Sequence, residues 1–188
     1  MAGKVRDKMV EGAMALLARR GLQATSFSEV LAATGAPRGS LYHHFPGGKD
    51  QLVAAAVVAA GAVLSNALEA VAGQPAEAVA ERFLAIWRAV LTRSQCEAGC
   101  AVLAVTVAAD SEELANSART VLRGWQARLT DLLQQGGMGS AQARGFATML
   151  IASAEGAVVL ARAEQSLAPF EAVAAQLMTL VRSMSAAA

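Results

Sequence analysis

Apolar side chains recur along this chain at helical rather than strand spacing. Val5, Met9, Ala13, Leu16 and Leu17 lie on one face and predict a helix closed by Gly21. Ser26 stands three residues before Glu29, the spacing of a capping box, and Phe27, Val30 and Leu31 follow as a short apolar face. Thr34-Gly35-Ala36-Pro37 breaks that helix, and a third runs from about Arg38 to Phe45 before Pro46-Gly47-Gly48. Longer helices follow from about Lys49 to Ala72, and from Pro75 with Val79, Phe83, Ile86, Trp87, Val90 and Leu91 on one face. A short apolar helix spans Cys100 to Ala109, and Asp110-Ser111 opens the next, which carries Leu114, Trp125, Leu129 and Leu132. Two final helices span about 141–167 and 169–184. No segment alternates as a strand would, and no repeat is present. The expected fold is all-α, with about nine helices in two parts: three short helices over residues 1–50 and a helical body over 51–188.

Composition sharpens this picture. Of 188 residues, 45 are alanine, about 24%, against one Tyr, two His, two Cys and four Pro. Alanine enrichment with few β-branched or aromatic residues favours helix over sheet. The longest unbroken apolar stretch, Leu52 to Leu64, is 13 residues and falls short of a bilayer span. The first residues (Lys4, Arg6, Asp7 and Lys8) lack the apolar core of a secretory signal, so a cytoplasmic location and no membrane partner are expected. The net charge of +1 conceals an asymmetry: residues 1–50 hold seven Lys/Arg and four Asp/Glu, a net of +3, and the remainder has a net of −2. A basic head on a mildly acidic body fits a polyanion partner for the head.

Residues 25–45 have helix–turn–helix form, two short helices joined by a Gly-containing turn. On a helical wheel, Leu41 and Phe45 fall together and face a core with Val30, Leu31 and Leu17. The opposite arc holds Gly39, Ser40 and His43, with Tyr42 and His44 on its shoulders. These side chains can donate to phosphate or meet base edges. Arg38 opens the helix and Lys49 the following one, where charge and backbone N–H groups can address a phosphate. The hydroxyls of Thr25 and Ser28 are placed to act likewise at the start of the first helix of the pair. Gly39 has two readings: close backbone approach to another molecule, or relaxation of the first helical turn. Ser26 needs no ligand, since it caps its helix.

The run Ala36-Pro37-Arg38-Gly39-Ser40-Leu41-Tyr42-His43-His44-Phe45, followed by Gly48-Lys49-Asp50-Gln51-Leu52, resembles the DNA-binding domain of the TetR family of transcriptional regulators. The resemblance covers residues 5–52. It implies a homodimer that binds a palindromic operator on double-stranded DNA, usually as a repressor released by a small molecule. By motif position it places DNA contacts on Thr25, Arg38, Gly39, Ser40, Tyr42, His43, His44 and Lys49. Gly47-Gly48 departs from the family, which often has a charged or polar residue before the Lys, and predicts a loosened start to the fourth helix.

The body is expected to bind the effector and to dimerise. Phe83, Trp87, Leu91, Trp125, Phe146 and Met149 are the candidate lining of an apolar pocket for a lipophilic or aromatic effector, with ordinary core packing as the alternative. The last two helices are rich in Ala and Gly, and Ile151, Ala154, Val158 and Ala161 follow one line. Such helices suit a two-fold four-helix bundle between protomers, or burial within one. Cys96 and Cys100 lack further ligands for a metal site, and no catalytic grouping or cofactor motif is found; the expected protein is not an enzyme. The competing reading is a helical small-molecule-binding or thiol-sensing protein that has lost DNA binding.

Overall fold

The computed structural model describes residues 2–186. Among these the chain forms nine helices and no strand: α1 (Ala2–Arg20), α2 (Phe27–Thr34), α3 (Arg38–His44), α4 (Gly48–Glu69), α5 (Ala76–Ser94), α6 (Ala101–Ala108), α7 (Glu112–Gln135), α8 (Ser140–Glu164) and α9 (Ala168–Ala186). The expected order of elements is thus found, with shifts at three ends. α1 begins at Ala2 rather than Val5. α4 stops at Glu69 rather than Ala72, because residues 70–74 tighten into turns such as Val71 N–H to Leu68 O. α8 stops at Glu164 because Gln165 takes a left-handed conformation (φ 50°) and the Ser166 N–H bonds back to Ala161 O.

Two compact units divide the chain, one holding residues up to 62 and 100–122, the other 63–99 and 123 onward. α4 and α7 contribute residues to both. In the first unit α1 packs on α2, α3 and α6. Its buried side chains include Met9, Ala13 and Leu17 of α1, Val30 of α2, Leu52, Val53 and Val57 of α4, and Val102 and Val105 of α6. Gly12 lets α1 and α2 approach closely: a Cβ there would collide with Thr34 Cγ2. Thr34 cannot swing aside freely, because its hydroxyl donates to Val30 O (2.7 Å) and accepts from the Ala36 N–H (3.3 Å).

In the second unit α8 packs on α5 and α9, and α5 on α9. Apolar burial supplies the adhesion, and one polar cluster fixes α5 against α9. The Arg88 guanidinium forks onto both carboxylate oxygens of Glu171 (2.6 and 3.0 Å), reaches Glu81 (3.2 Å), and stands 5.9 Å from the centre of the Phe170 ring. The Glu171 hydrogen bond holds Arg88 above its ordinary pKa, against the opposing effect of burial. Exposed pairs Arg128–Glu69 and Arg182–Glu77 add little beyond orientation.

α4 and α8 are long and apolar enough, by length and composition, to cross a membrane, although the longest unbroken apolar stretch, within α4, is only 13 residues. Their apolar windows are 39% and 50% buried inside the protein. On α8 the line Ile151, Ala154, Val158 and Ala161 is buried, whereas Gly145, Thr148, Ala152, Gly156, Val159 and Leu160 stay exposed.

Gly12→Ala should lower stability by about 1–3 kcal/mol through overpacking against Thr34, and Glu171→Ala by about 1 kcal/mol through loss of the forked pair. Urea unfolding of each variant measures both effects. Unchanged midpoints would mean that these contacts are not made in solution.

Candidate nucleic-acid interface

Local chemistry fixes α2 before any ligand is considered. Ser26 is the N-cap, with extended backbone, and its Oγ accepts from the Glu29 N–H (3.2 Å). The Ser26 and Ser28 hydroxyls are hydrogen-bonded to each other at 2.8 Å. At the far end Gly35 supplies the left-handed residue (φ 64°) that closes the helix, and its N–H bonds to Leu31 O. Pro37 then sets the backbone for α3, a helix of seven residues without a side-chain cap.

α3 is held from one side. Leu41 is 1% exposed and Phe45 0%, and the Arg6 guanidinium of α1 lies 5.5 Å from the centre of the Phe45 ring. With that side anchored, the opposite arc stays open: Arg38, Gly39, Tyr42 and His43 are exposed, and Ser40 and His44 half-buried. Tyr42 is 71% exposed. A Cβ added at Gly39 would meet nothing within 4 Å, so no internal packing demands glycine there. The two imidazoles meet edge to face, with centroids 5.0 Å apart and planes at 65°.

A shallow groove of about 400 Å³ runs between α2 and α3. Ser26, Ser28, Arg38 and Tyr42 give it polar groups, and Phe27, Leu31 and Leu41 an apolar floor. Leu31, expected in the core, is half-buried in this floor instead, because the core face of so short a helix needs only Val30 and Thr34. Phe27 was missed as a site residue. It meets the Tyr42 ring edge to face at 6.0 Å and 83°, and only its apolar character at a helix start marked it in the sequence.

The flanking candidates differ in their commitments. Ser28 is exposed. Thr25 is 1% exposed, and its hydroxyl donates to Gly21 O (2.8 Å), so in the free protein it builds the turn into α2. Lys49 is half-buried and its Nζ donates to Leu22 O (3.2 Å), tying the first turn of α4 to the chain beyond α1. At Gly47-Gly48, where a loosened start is expected, Gly48 takes a left-handed conformation (φ 83°). The Gln51 side chain reaches back to accept from the Gly47 N–H (2.9 Å) and supplies the cap the glycines lack.

The six candidate effector residues all lie in the second unit: Phe83, Trp87 and Leu91 on α5, Trp125 on α7, Phe146 and Met149 on α8. Five are buried and Met149 is half-buried. The Phe83 and Trp87 rings meet edge to face at 6.5 Å. The Trp87 indole N–H is buried without an acceptor among the described residues. Glu155 on α8, passed over as a site residue, is the one buried carboxylate among them. Both thiols are buried, and Cys100 Sγ accepts from the Leu103 N–H at the start of α6. No group of three or more His, Cys, Asp or Glu residues able to hold a metal occurs among the described residues.

Comparison with known proteins agrees with this geometry. The family model of bacterial regulatory proteins of the tetR family matches residues 9–56, and that of the C-terminal domain of LmrA/YxaF-like transcriptional regulators matches residues 75–176. An uncharacterised HTH-type transcriptional regulator of Mycobacterium tuberculosis (strain H37Rv) is 34% identical over 185 residues, covering 94% of this chain and 93% of the relative. The Bacillus subtilis HTH-type transcriptional regulator LmrA is 27% identical, covering 89% of this chain and 91% of its own. Among solved structures, a TetR-family regulator from Agrobacterium tumefaciens superposes with a TM-score of 0.82 at 20% identity, over 95% of this chain and 98% of that one. The chain belongs to the TetR family of bacterial regulatory proteins, and it is a transcriptional regulator rather than an enzyme, with a helix–turn–helix as its DNA-binding element.

Proposed function

We propose that this regulator is a repressor that binds a palindromic operator as a homodimer and leaves it when a small lipophilic or aromatic effector binds. Residues 1–50 act as the DNA-binding domain and residues 51–188 as the regulatory and dimerisation domain. The protein works in the cytoplasm. The observation that carries this reading is the outer arc of α3: Arg38, Gly39, Tyr42 and His43 are exposed while Leu41 and Phe45 are buried. Arg38, Tyr42 and His43 are placed to meet base edges or phosphates, with Ser40 and His44 at the margins. Open space at Gly39 lets the DNA approach the α3 backbone itself. Ser28 and the remaining N–H donors of Lys49 serve as phosphate contacts. Thr25 positions the start of α2.

Dimerisation is proposed through α8 and α9. The stripe Gly145, Thr148, Ala152, Gly156, Val159 and Leu160 is exposed, uncharged and mostly small. Charge-free small surfaces let helices approach closely, and a two-fold bundle removes them from water. Its symmetry would present two copies of α3 to successive major grooves. The effector is proposed to bind among Phe83, Trp87, Leu91, Trp125, Phe146 and Met149. A buried donor without an acceptor costs about 1–3 kcal/mol, so an effector carrying an acceptor for the Trp87 N–H gains from satisfying it. Occupation there would re-space the paired heads and weaken their joint fit to DNA.

Duplexes selected by the protein from a random-sequence library test the reading. We expect a palindromic consensus, and failure to retain any duplex at low salt would overturn DNA binding. Tyr42→Ala should lower affinity for the selected duplex roughly ten- to a hundredfold while the dimer, by size-exclusion chromatography, is unchanged. Gly39→Ala should separate stability from binding, raising helix stability by up to about 1 kcal/mol while weakening DNA binding. Lys49→Ala should reduce the salt slope of binding by about one contact per protomer; an unaltered slope would place Lys49 off the phosphates.

A further inference from the structure

We propose that Phe27 is a positioning residue for Tyr42, fixing the orientation in which its ring meets DNA; this rests on the reading of α3 as the DNA-contacting helix. Tyr42 is 71% exposed. A side chain so open has several rotamers available, and binding DNA through one of them requires the others to be given up. The aromatic partner of Tyr42 among the described residues is Phe27, at 6.0 Å and 83°. That geometry places the positive edge of one ring on the negative face of the other, the favoured arrangement for an aromatic pair.

Phe27 is itself well held. It is the first residue of α2, directly after the Ser26 cap, so its backbone is set by the hydrogen bond from the Glu29 N–H to Ser26 Oγ. Leu31 lies one turn further on the same face and joins Leu41 in the floor of the groove. Buried Leu41, Leu31, Phe27 and Tyr42 thus line one groove, with the Phe27 and Tyr42 rings in contact at its outer side. Arg38, four residues before Tyr42, lines the same groove, so restricting the Tyr42 ring also defines the space left to the guanidinium. Phe27 thus carries orientation from the rigid α2 cap to a side chain that has little burial of its own.

Tyr42 is the one tyrosine in the chain, which makes the pairing directly observable. Incorporated 3-fluorotyrosine reports on this ring alone. In Phe27→Leu, which keeps an apolar side chain but removes the ring, the fluorine resonance should move in the free protein. Affinity for a duplex selected from the random-sequence library should fall about three- to tenfold, the worth of one aromatic pair, and Phe27→Trp should restore most of it. In a Tyr42→Ala background, Phe27→Leu should cause no further loss, because its effect passes through the missing ring. Equal losses in both backgrounds, or an unmoved resonance, would overturn the proposal. Should Phe27→Leu fail to fold, the wild type decides: a nuclear Overhauser effect between the Tyr42 fluorine and the Phe27 ring protons is expected, and its absence overturns the pairing. A wild type that retains no duplex sinks the DNA-binding reading together with this one. Binding with additive losses sinks only the role of Phe27.

Discussion

Everything presented on the outer arc of α3 depends on two side chains that point the other way, Leu41 and Phe45. A helix of seven residues is too short to hold itself together in water. It lacks a side-chain cap as well, since Pro37 precedes it and the Phe45 backbone closes it. Its persistence comes from burying those two residues against the rest of the first unit, which places its backbone as a consequence. Because the anchors lie one turn apart, they define one face, and the remaining arc is free to be polar, small or aromatic. Sequence freedom on that arc costs the fold little, which is where a DNA-reading surface can vary.

How far this was legible in the sequence depends on the range of the signal. Order and type of the helices followed from periodicity, Gly and Pro, because these act within a turn or two. Two of the three shifted ends have causes that the residue types do not mark. Gln165 closes α8 in a left-handed conformation usually given to glycine, so nothing in the residue type announced it. The tight turns after Glu69 continue an apolar pattern, so periodicity ran on past the helix end. Within the interface, exposure of Arg38, Tyr42 and His43 was readable from a wheel. The commitments of Thr25 to Gly21 O and Lys49 to Leu22 O were not, since both depend on where the chain returns after α1. Phe27 is intermediate: its apolar character was plain, but its partner lies on the neighbouring helix.

The body shows the same contrast. Ala-rich helices predicted close packing, yet the wheel could not say which line of α8 faced inward. Its Ile151–Ala161 line is buried within the chain's own interior, and a neighbouring stripe of mostly small residues remains exposed. Amphipathicity is a weak guide in a helix that is apolar nearly all round, because every face looks like a core face. Polar exceptions then become informative. The Arg88–Glu171 fork ties helices distant in sequence, and the buried Trp87 N–H marks where the interior has a polar group unspent.

The first turn of α4 is held on two sides, by the Lys49 ammonium on Leu22 O and by the Gln51 amide oxygen on the Gly47 N–H. Mechanically this is a clamped joint rather than a hinge, even though two glycines lie in the connection. Bending there must first break both hydrogen bonds. The glycines that look like a flexible tether in the sequence belong, in the folded chain, to a connection fastened at two points.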